Sequence, residues 1–398
     1  MNEKQKEAFD LVTSRKNLFI SGSAGTGKSF TLKYVQKWAW KNHINLALTS
    51  TSGNSALLIG GRTIHSYLSI GLARKTAEQL YEDVINKNPH TVRKINMLDV
   101  LVIDEISMMD HILFGKINSF LKLVRKNDLE FGGIQVLFMG DFCQLPPING
   151  DYCFKSESWD KLNIETIMLT QIMRQNDSEF IDILEELRWG KCTADIRRKL
   201  KQLKNTIFPD DGILPTVLYS KNVDVDNINS SEYSNLLKSN PDRKIFKTTT
   251  SNKYWSQSLK IPETVDVCVD AQVMVTWNID LDNNIANGSR GVVIGFSKNS
   301  VNIKLISGDI VNIPYVTIDD QNMSCTFMPL KLAWATTIHR SQGQSIDRLI
   351  INIQDVWENG QAYVAISRAR DMKYIKIEGD VKSKCFKCSA DVIKFYGV

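Results

Sequence analysis

Short, wholly apolar runs alternate with longer stretches of helical periodicity over roughly the first 170 residues. Leu18–Ile20, Asn45–Leu48, Val100–Ile103 and Gln135–Met139 read as strands. Apolar runs of this length without a polar alternation are what a strand covered on both faces requires. The alternation predicts a parallel α/β sheet with its function at the carboxyl ends of the strands. Asp110–Lys126 reads as a helix. Between Val265 and Val316 the pattern changes. Val273–Val275, Gly291–Phe296, Val301–Ile306 and Ile310–Ile313 are short alternating or apolar runs. Asn287-Gly288, Lys298-Asn299 and Ser307-Gly308-Asp309 separate them as turns, which predicts a small antiparallel sheet or barrel.

At 398 residues the chain is too long for one core, so two or three domains are expected. Its composition, 43% hydrophobic and 23% charged, is that of an ordinary globular protein. No apolar run approaches the ~20 residues of a membrane span. The polar, mixed-charge start Met1-Asn2-Glu3-Lys4-Gln5 does not read as a secretory leader. Seven scattered cysteines suit reduced thiols inside a cell, in cytoplasm or nucleus. Cys385 and Cys388 form a lone C-x-x-C, and an ordinary terminal element is its default reading. The net charge of +5, from 49 basic and 44 acidic residues, is compatible with a nucleic-acid partner without demonstrating one. The cluster Arg197-Arg198-Lys199 with Lys201 and Lys204 reads as a solvated helix face.

The chemistry begins directly after the first strand. Gly22-Ser23-Ala24-Gly25-Thr26-Gly27-Lys28-Ser29 fits G-x-x-x-x-G-K-[ST] at every fixed position, between a strand and a helix. Glycines let the backbone wrap an anion, and the amides and helix N-terminus point partial positive charge at phosphate. Lys28 would reach the outer phosphates, and the Ser29 hydroxyl would hold Mg²⁺. A nucleoside triphosphate is the predicted ligand.

Asp104-Glu105 follows the third strand. Two carboxylates at the mouth of a buried strand are costly unless cations neutralise them. Beside a phosphate loop, Asp104 would lie near the metal and Glu105 would orient and deprotonate the attacking water. Gly140-Asp141-Phe142-Cys143-Gln144-Leu145-Pro146-Pro147 follows the fourth strand. Gln144 could hydrogen-bond the terminal phosphate, or the segment could be a simple turn.

Together these stretches resemble superfamily-one helicases of the petite-integration-frequency (PIF) type, related to RecD and Dda. The resemblance covers nearly the whole chain. Asn2–Ala8 resembles the adenine-reading segment, with Gln5 at the base. Asp104–Met108 and Gly140–Pro147 match the second and third helicase motifs, which implies phosphate sensing by Gln144. Leu169–Gln175 resembles the fourth, with Arg174 as an arginine finger. Pro329–Gly343 matches the fifth and Tyr363–Arg370 the sixth, with Arg368 as a second finger and Gly343 near the nucleotide. Phe131-Gly132-Gly133-Ile134-Gln135 resembles a segment peculiar to the PIF branch. Two departures stand out. Arg340 replaces the usual Lys, and Ser50–Ala56 is a loose version of the first DNA-contacting motif.

The resemblance implies an α/β fold of two RecA-like domains, 1–175 and 176–398. It places a small wedge or pin insert at about 63–96 and an SH3-like β insert at about 255–325. It implies an ATP- and Mg²⁺-dependent DNA helicase, a monomeric motor moving 5′ to 3′ on single-stranded DNA and opening forked or tailed duplexes. Domain closure would drive it. No long extension is expected to flank this core. Expected DNA contacts are Ser50, Thr51, Phe142, Pro146, Thr337, His339, Arg340 and Ser341. His65 and Tyr67 would stack on bases or else be core residues. A superfamily-one RNA helicase and an ATP-switched nucleic-acid-binding protein are the competing readings.

Overall fold

The computed structural model describes residues 1–398 apart from 174, 176, 221, 281–284, 286, 321 and 322, and apart from the side chains of 54, 222–224, 320 and 355. The chain divides into two compact units, Met1–Arg174 with Lys394–Tyr396, and Gln175–Ile393 with Gly397–Val398.

The first unit is built on a six-stranded parallel sheet. Its strands are β1 (Leu18–Gly22), β2 (Leu46–Ser50), β3 (Arg62–Thr63), β4 (Val100–Asp104), β5 (Gln135–Gly140) and β6 (Glu165–Leu169), in the order β3-β2-β4-β5-β1-β6. All four sequence-predicted strands are present, each slightly longer than its apolar run. β1, β4 and β5 are buried along their whole length. Alternate residues feed two cores. Leu18, Ile20, Val102, Leu137 and Met139 pack with Ala8 and Val12 of helix α1 (Glu3–Thr13) and with Leu32 and Val35 of helix α2 (Lys28–Lys41). Phe19 and Phe138 face the other way, into an aromatic cluster with Trp159.

The PIF-like segment has a packing role here. Phe131 adopts φ +53°, Gly132 φ +63° and Gly133 φ +74°, a tight turn after the helix His111–Arg125. A Cβ on Gly132 would stand 2.7 Å from Leu121 O, so the turn needs glycine there. It drives Phe131 between Phe114 and Phe138. Residues 63–96 form the helices Ile64–Leu68, Ala77–Lys87 and Pro89–Asn96. Lys116 and Arg125 of the 111–125 helix donate to Ala73 O and to Ile95 O and Leu98 O, fastening this insert.

The second unit holds a four-stranded parallel sheet in the order Ala335–Thr337, Thr216–Tyr219, Leu349–Asn352, Ile375–Glu378. Beside it stands a five-stranded antiparallel sheet: Ile310–Pro314, Ser300–Leu305, Arg290–Phe296, Gln272–Val275, Leu330–Leu332. The pair Arg243–Lys247 and Thr264–Cys268 closes over the same apolar core through Phe246, Val265 and Val267. The antiparallel region therefore begins earlier and ends later than 255–325.

The last helix also departs from expectation. Lys394–Tyr396 group with the first unit because Phe395 packs on Phe154, Phe142 and Phe19. Among the described residues no helix is long and apolar enough to cross a membrane. They hold no cluster of three His, Cys, Asp or Glu that could bind a metal.

Candidate nucleotide-binding site

The Gly22–Ser29 loop joins β1 to α2 at the carboxyl edge of the first sheet. Gly25 and Gly27 both adopt φ +87°, a left-handed backbone that other residues tolerate poorly. A Cβ on Gly22 would lie 2.6 Å from Thr26 Oγ1 and 2.7 Å from Leu169 O. Glycine is thus required by close approach at one end of the loop and by backbone conformation at the other. Gly27 caps α2 without a side-chain hydrogen bond, so the first amides of the helix are directed into the loop. Lys28 Nζ donates to Gly22 O (2.6 Å) and Ser23 O (3.1 Å), folding the ammonium across the cradle. Thr26 Oγ1 braces the turn through Ser23 O. Ser23, Ala24 and Thr26 are buried, so their part in anion binding falls to main-chain amides, while the Ser29 side chain is exposed.

The carboxylates after β4 share that edge of the sheet. Asp104 is buried, and its pKa is pushed up to about 7, first by burial and then by the charge of Glu105; Lys28 pulls it the other way. The ammonium and this carboxyl are thus electrostatic neighbours. Glu105 sits at φ +52°, ψ +44°, a left-handed conformation costing on the order of 1 kcal/mol. Surrounding bonds hold it there: Thr51 N and Ser50 Oγ donate to Asp104 O, and Thr51 Oγ1 donates to Glu105 O. Gln144 is buried in the loop after β5, its amide bonded to Asp141 O. The loop after β6 closes the site, with Met173 N donating to Gly25 O (2.8 Å). Arg174, the expected finger, lies outside the described residues.

The identity of the family follows from comparison with known proteins. Residues 1–198 match the PIF1-like helicase family. Pif1 helicase from Candida albicans has a crystal structure that superposes with a TM-score of 0.81 at 30% identity, covering 100% of this chain and 99% of that one. The chain belongs to the PIF1-like helicases. Bacteroides Pif1 in complex with ADP-AlF4 superposes with a TM-score of 0.86 at 27% identity, over 100% of this chain and 96% of that one. The ATP-dependent DNA helicase PIF1 of Xenopus laevis is 35% identical across 100% of this chain and 64% of its own length. The human protein of that name is 31% identical, across 100% and 63%. The chain thus spans slightly less than two thirds of these vertebrate relatives. The two parallel sheets are those of the two-RecA-domain architecture of Pif1 helicases.

Several residues expected to meet ligands are internal in this PIF1-like chain. Gln5 is buried: its Oε1 accepts Asn2 N and its Nε2 donates to Thr26 O, so the amide caps α1 and holds the phosphate loop. Ser50 is wholly buried under Asp104. Phe142 is 1% exposed, packed among Phe19, Phe154, Trp159 and Phe395, and cannot stack on a base. Tyr67 is buried, with Lys94 Nζ 3.6 Å from its ring centroid, so the ring already holds a cation on its face. Thr337 accepts Arg340 N, and Ser341 donates to Ile338 O, both inside the second unit.

Arg368 has a packing role within the second unit. It is 1% exposed and donates to Val364 O, Ser341 O, Gln344 O and Ser367 Oγ. As placed, it ties the 338–344 loop, including Gly343 at φ +78°, to the helix Gln361–Ile366.

Thr51, His65, Pro146, His339 and Arg340 retain partial exposure. Burial pushes the His65 imidazole down, towards its neutral form, against the pull of Asp110. His339 Nε2 lies 3.4 Å from Glu358, and Arg340 pairs with Asp226 at 3.0 Å. Motif spacing does not reveal the link from Asn2 Nδ2 to Gln171 Oε1 across the loop, nor the pair Ser21 and Tyr396. A capping-box pattern at Asn2 and Gln5 was the available signal for the first of these.

Proposed function

We propose that the chain hydrolyses ATP and uses the energy to translocate 5′ to 3′ on single-stranded DNA, opening tailed or forked duplexes as a single-chain motor. The observation that carries this reading is the convergence of Lys28, Asp104 and Glu105 at one sheet edge, within a member of the PIF1-like family. Relatives add support: Bacteroides Pif1 has been solved with ADP-AlF4 and bound to single-stranded DNA.

Ser29 and Asp104 would hold Mg²⁺. The fit lies in the chemistry of the donors: a buried carboxyl crowded by a second carboxylate gains from a divalent cation, and a hydroxyl stands at the first turn of α2. Bound there, the ion would neutralise charge on the outer phosphates. Lys28 and the loop amides hold those phosphates. Glu105, fixed in its unusual conformation, takes a proton from the attacking water. Gln144 contacts the terminal phosphate from the Gly140–Pro147 loop. Arg174 acts as the finger; supporting this, it directly follows Met173, which is bonded to the phosphate loop. Thr51, His65, Pro146, His339 and Arg340 are the DNA contacts that exposure leaves open. The strand-parting element belongs to the 63–96 insert, and the antiparallel sheets of the second unit form the SH3-like module.

Comparing ATP turnover with single-stranded DNA and with RNA of matched length tests the substrate class. DNA is expected to stimulate turnover strongly and RNA weakly. Equal stimulation would favour the RNA-helicase reading, and no stimulation by either would favour an ATP switch.

A further inference from the structure

β1 and β5 are parallel neighbours, and their register sets Ser21 opposite Gly140. Beyond that pair the two strands part: β5 runs into Asp141–Pro147, and β1, after Gly22, into the phosphate loop. The phenol of Tyr396 lies at this fork. Its Oη is 2.6 Å from Ser21 Oγ and accepts the Phe142 N–H at 3.2 Å. Ser21 and Phe142 are both buried, and polar groups inside a core need partners. Pairing between β1 and β5 has stopped at this point, and a side chain 375 positions from Ser21 and 254 from Phe142 bonds both groups. Ring packing fixes the phenol. Phe395 stacks on Phe154 with centroids 4.4 Å apart and meets Phe142 edge-on at 5.2 Å, while the Tyr396 ring lies 6.4 Å from Phe142.

We infer that Tyr396 is a positioning residue for ATP hydrolysis: its hydroxyl clips the loop carrying Gln144 to the strand that feeds the phosphate loop. This rests on the reading of Gln144 as the contact to the terminal phosphate. Gln144 stands two residues beyond the amide that the phenol holds. Releasing that amide lets the loop drift, and an ångström of misplacement costs up to about 10²-fold in rate. The phosphate loop keeps its own glycines, Lys28 and helix terminus, so nucleotide affinity does not depend on the clip.

The test is Tyr396→Phe in the full chain, which keeps the ring and removes only the hydroxyl. With saturating single-stranded DNA, kcat for ATP should fall roughly tenfold, the loss expected for about one hydrogen bond. KM for ATP should stay within about twofold, the signature of an effect on the transition state rather than on binding. Gln144→Ala should also lower kcat, and the double variant should fall no further than the worse single one, because the two act as a unit. A wild-type kcat in Tyr396→Phe with a lowered melting temperature means the tyrosine is only a structural anchor, and overturns the inference. Additive losses in the double variant overturn it as well. If Gln144→Ala itself leaves kcat unchanged, the loop reading fails and the inference falls with it. An impaired Gln144→Ala beside an unimpaired Tyr396→Phe refutes the clip alone.

Discussion

Lys28→Ala is expected to lower ATP turnover by about 10³-fold, the scale on which a preorganised charge at the transferring phosphate contributes. The ammonium serves twice in this site. It spans the cradle through Gly22 O and Ser23 O, and its charge lowers the Asp104 pKa. Removing it leaves phosphate charge without its protein counter-ion. It also leaves burial and the Glu105 charge raising the Asp104 pKa, opposed only by the Glu105 main-chain amide. The carboxyl then favours its protonated form more strongly, which weakens any metal it holds. The fold should survive, since α2 is anchored through Leu32, Val35 and Ala39 rather than through residue 28. Turnover by the variant within a fewfold of wild type would remove the nucleotide site from the account.

Arg368→Ala is the second large effect, and it should appear first in stability. The guanidinium serves three main-chain carbonyls and one hydroxyl in a wholly buried setting. Truncation removes the charged donor from all four acceptors, although Val364 O keeps Ser367 Oγ and Ser341 O keeps Gln344 N, and it opens a void. Hydrogen bonds to a charged donor are worth about 1.5–3 kcal/mol each, and a total loss on the order of 3 kcal/mol is expected after relaxation. For a unit of this size that lowers Tm by roughly 6–12 °C, which calorimetry or thermal-shift measurement reads directly. A Tm unchanged within error, together with lost turnover, would favour the finger role over the packing role for Arg368.

These cases separate what was legible in the chain from what was not. The first sheet could be read because β1, β4 and β5 are short, apolar and buried throughout. The phosphate loop could be read because its geometry is local, with the glycines at fixed offsets from Lys28. The second parallel sheet left little trace in the pattern. Ala335–Thr337 is three small residues, two of them threonine, and Thr216–Tyr219 mixes polar and apolar positions. Burial at the loops was also invisible. Phe142 and Tyr67 look alike as aromatic residues on candidate DNA-facing loops, and only distant partners, Phe395 for one and Lys94 for the other, make them internal. The burial of Arg368 was hidden for the same reason: its acceptors at Ser341 and Gln344 lie more than twenty positions away. Motif residues reveal chemistry by type and spacing, while exposure is decided by packing between remote segments.

The most direct measurement is strand separation on duplexes carrying a single-stranded tail on either the 5′ or the 3′ side of the displaced junction, with ATP and Mg²⁺ present. The chain is expected to unwind the 5′-tailed duplex and leave the 3′-tailed one paired, and Lys28→Ala to unwind neither. Unwinding from the 3′ tail, or ATP turnover on DNA without strand separation on either substrate, would contradict it.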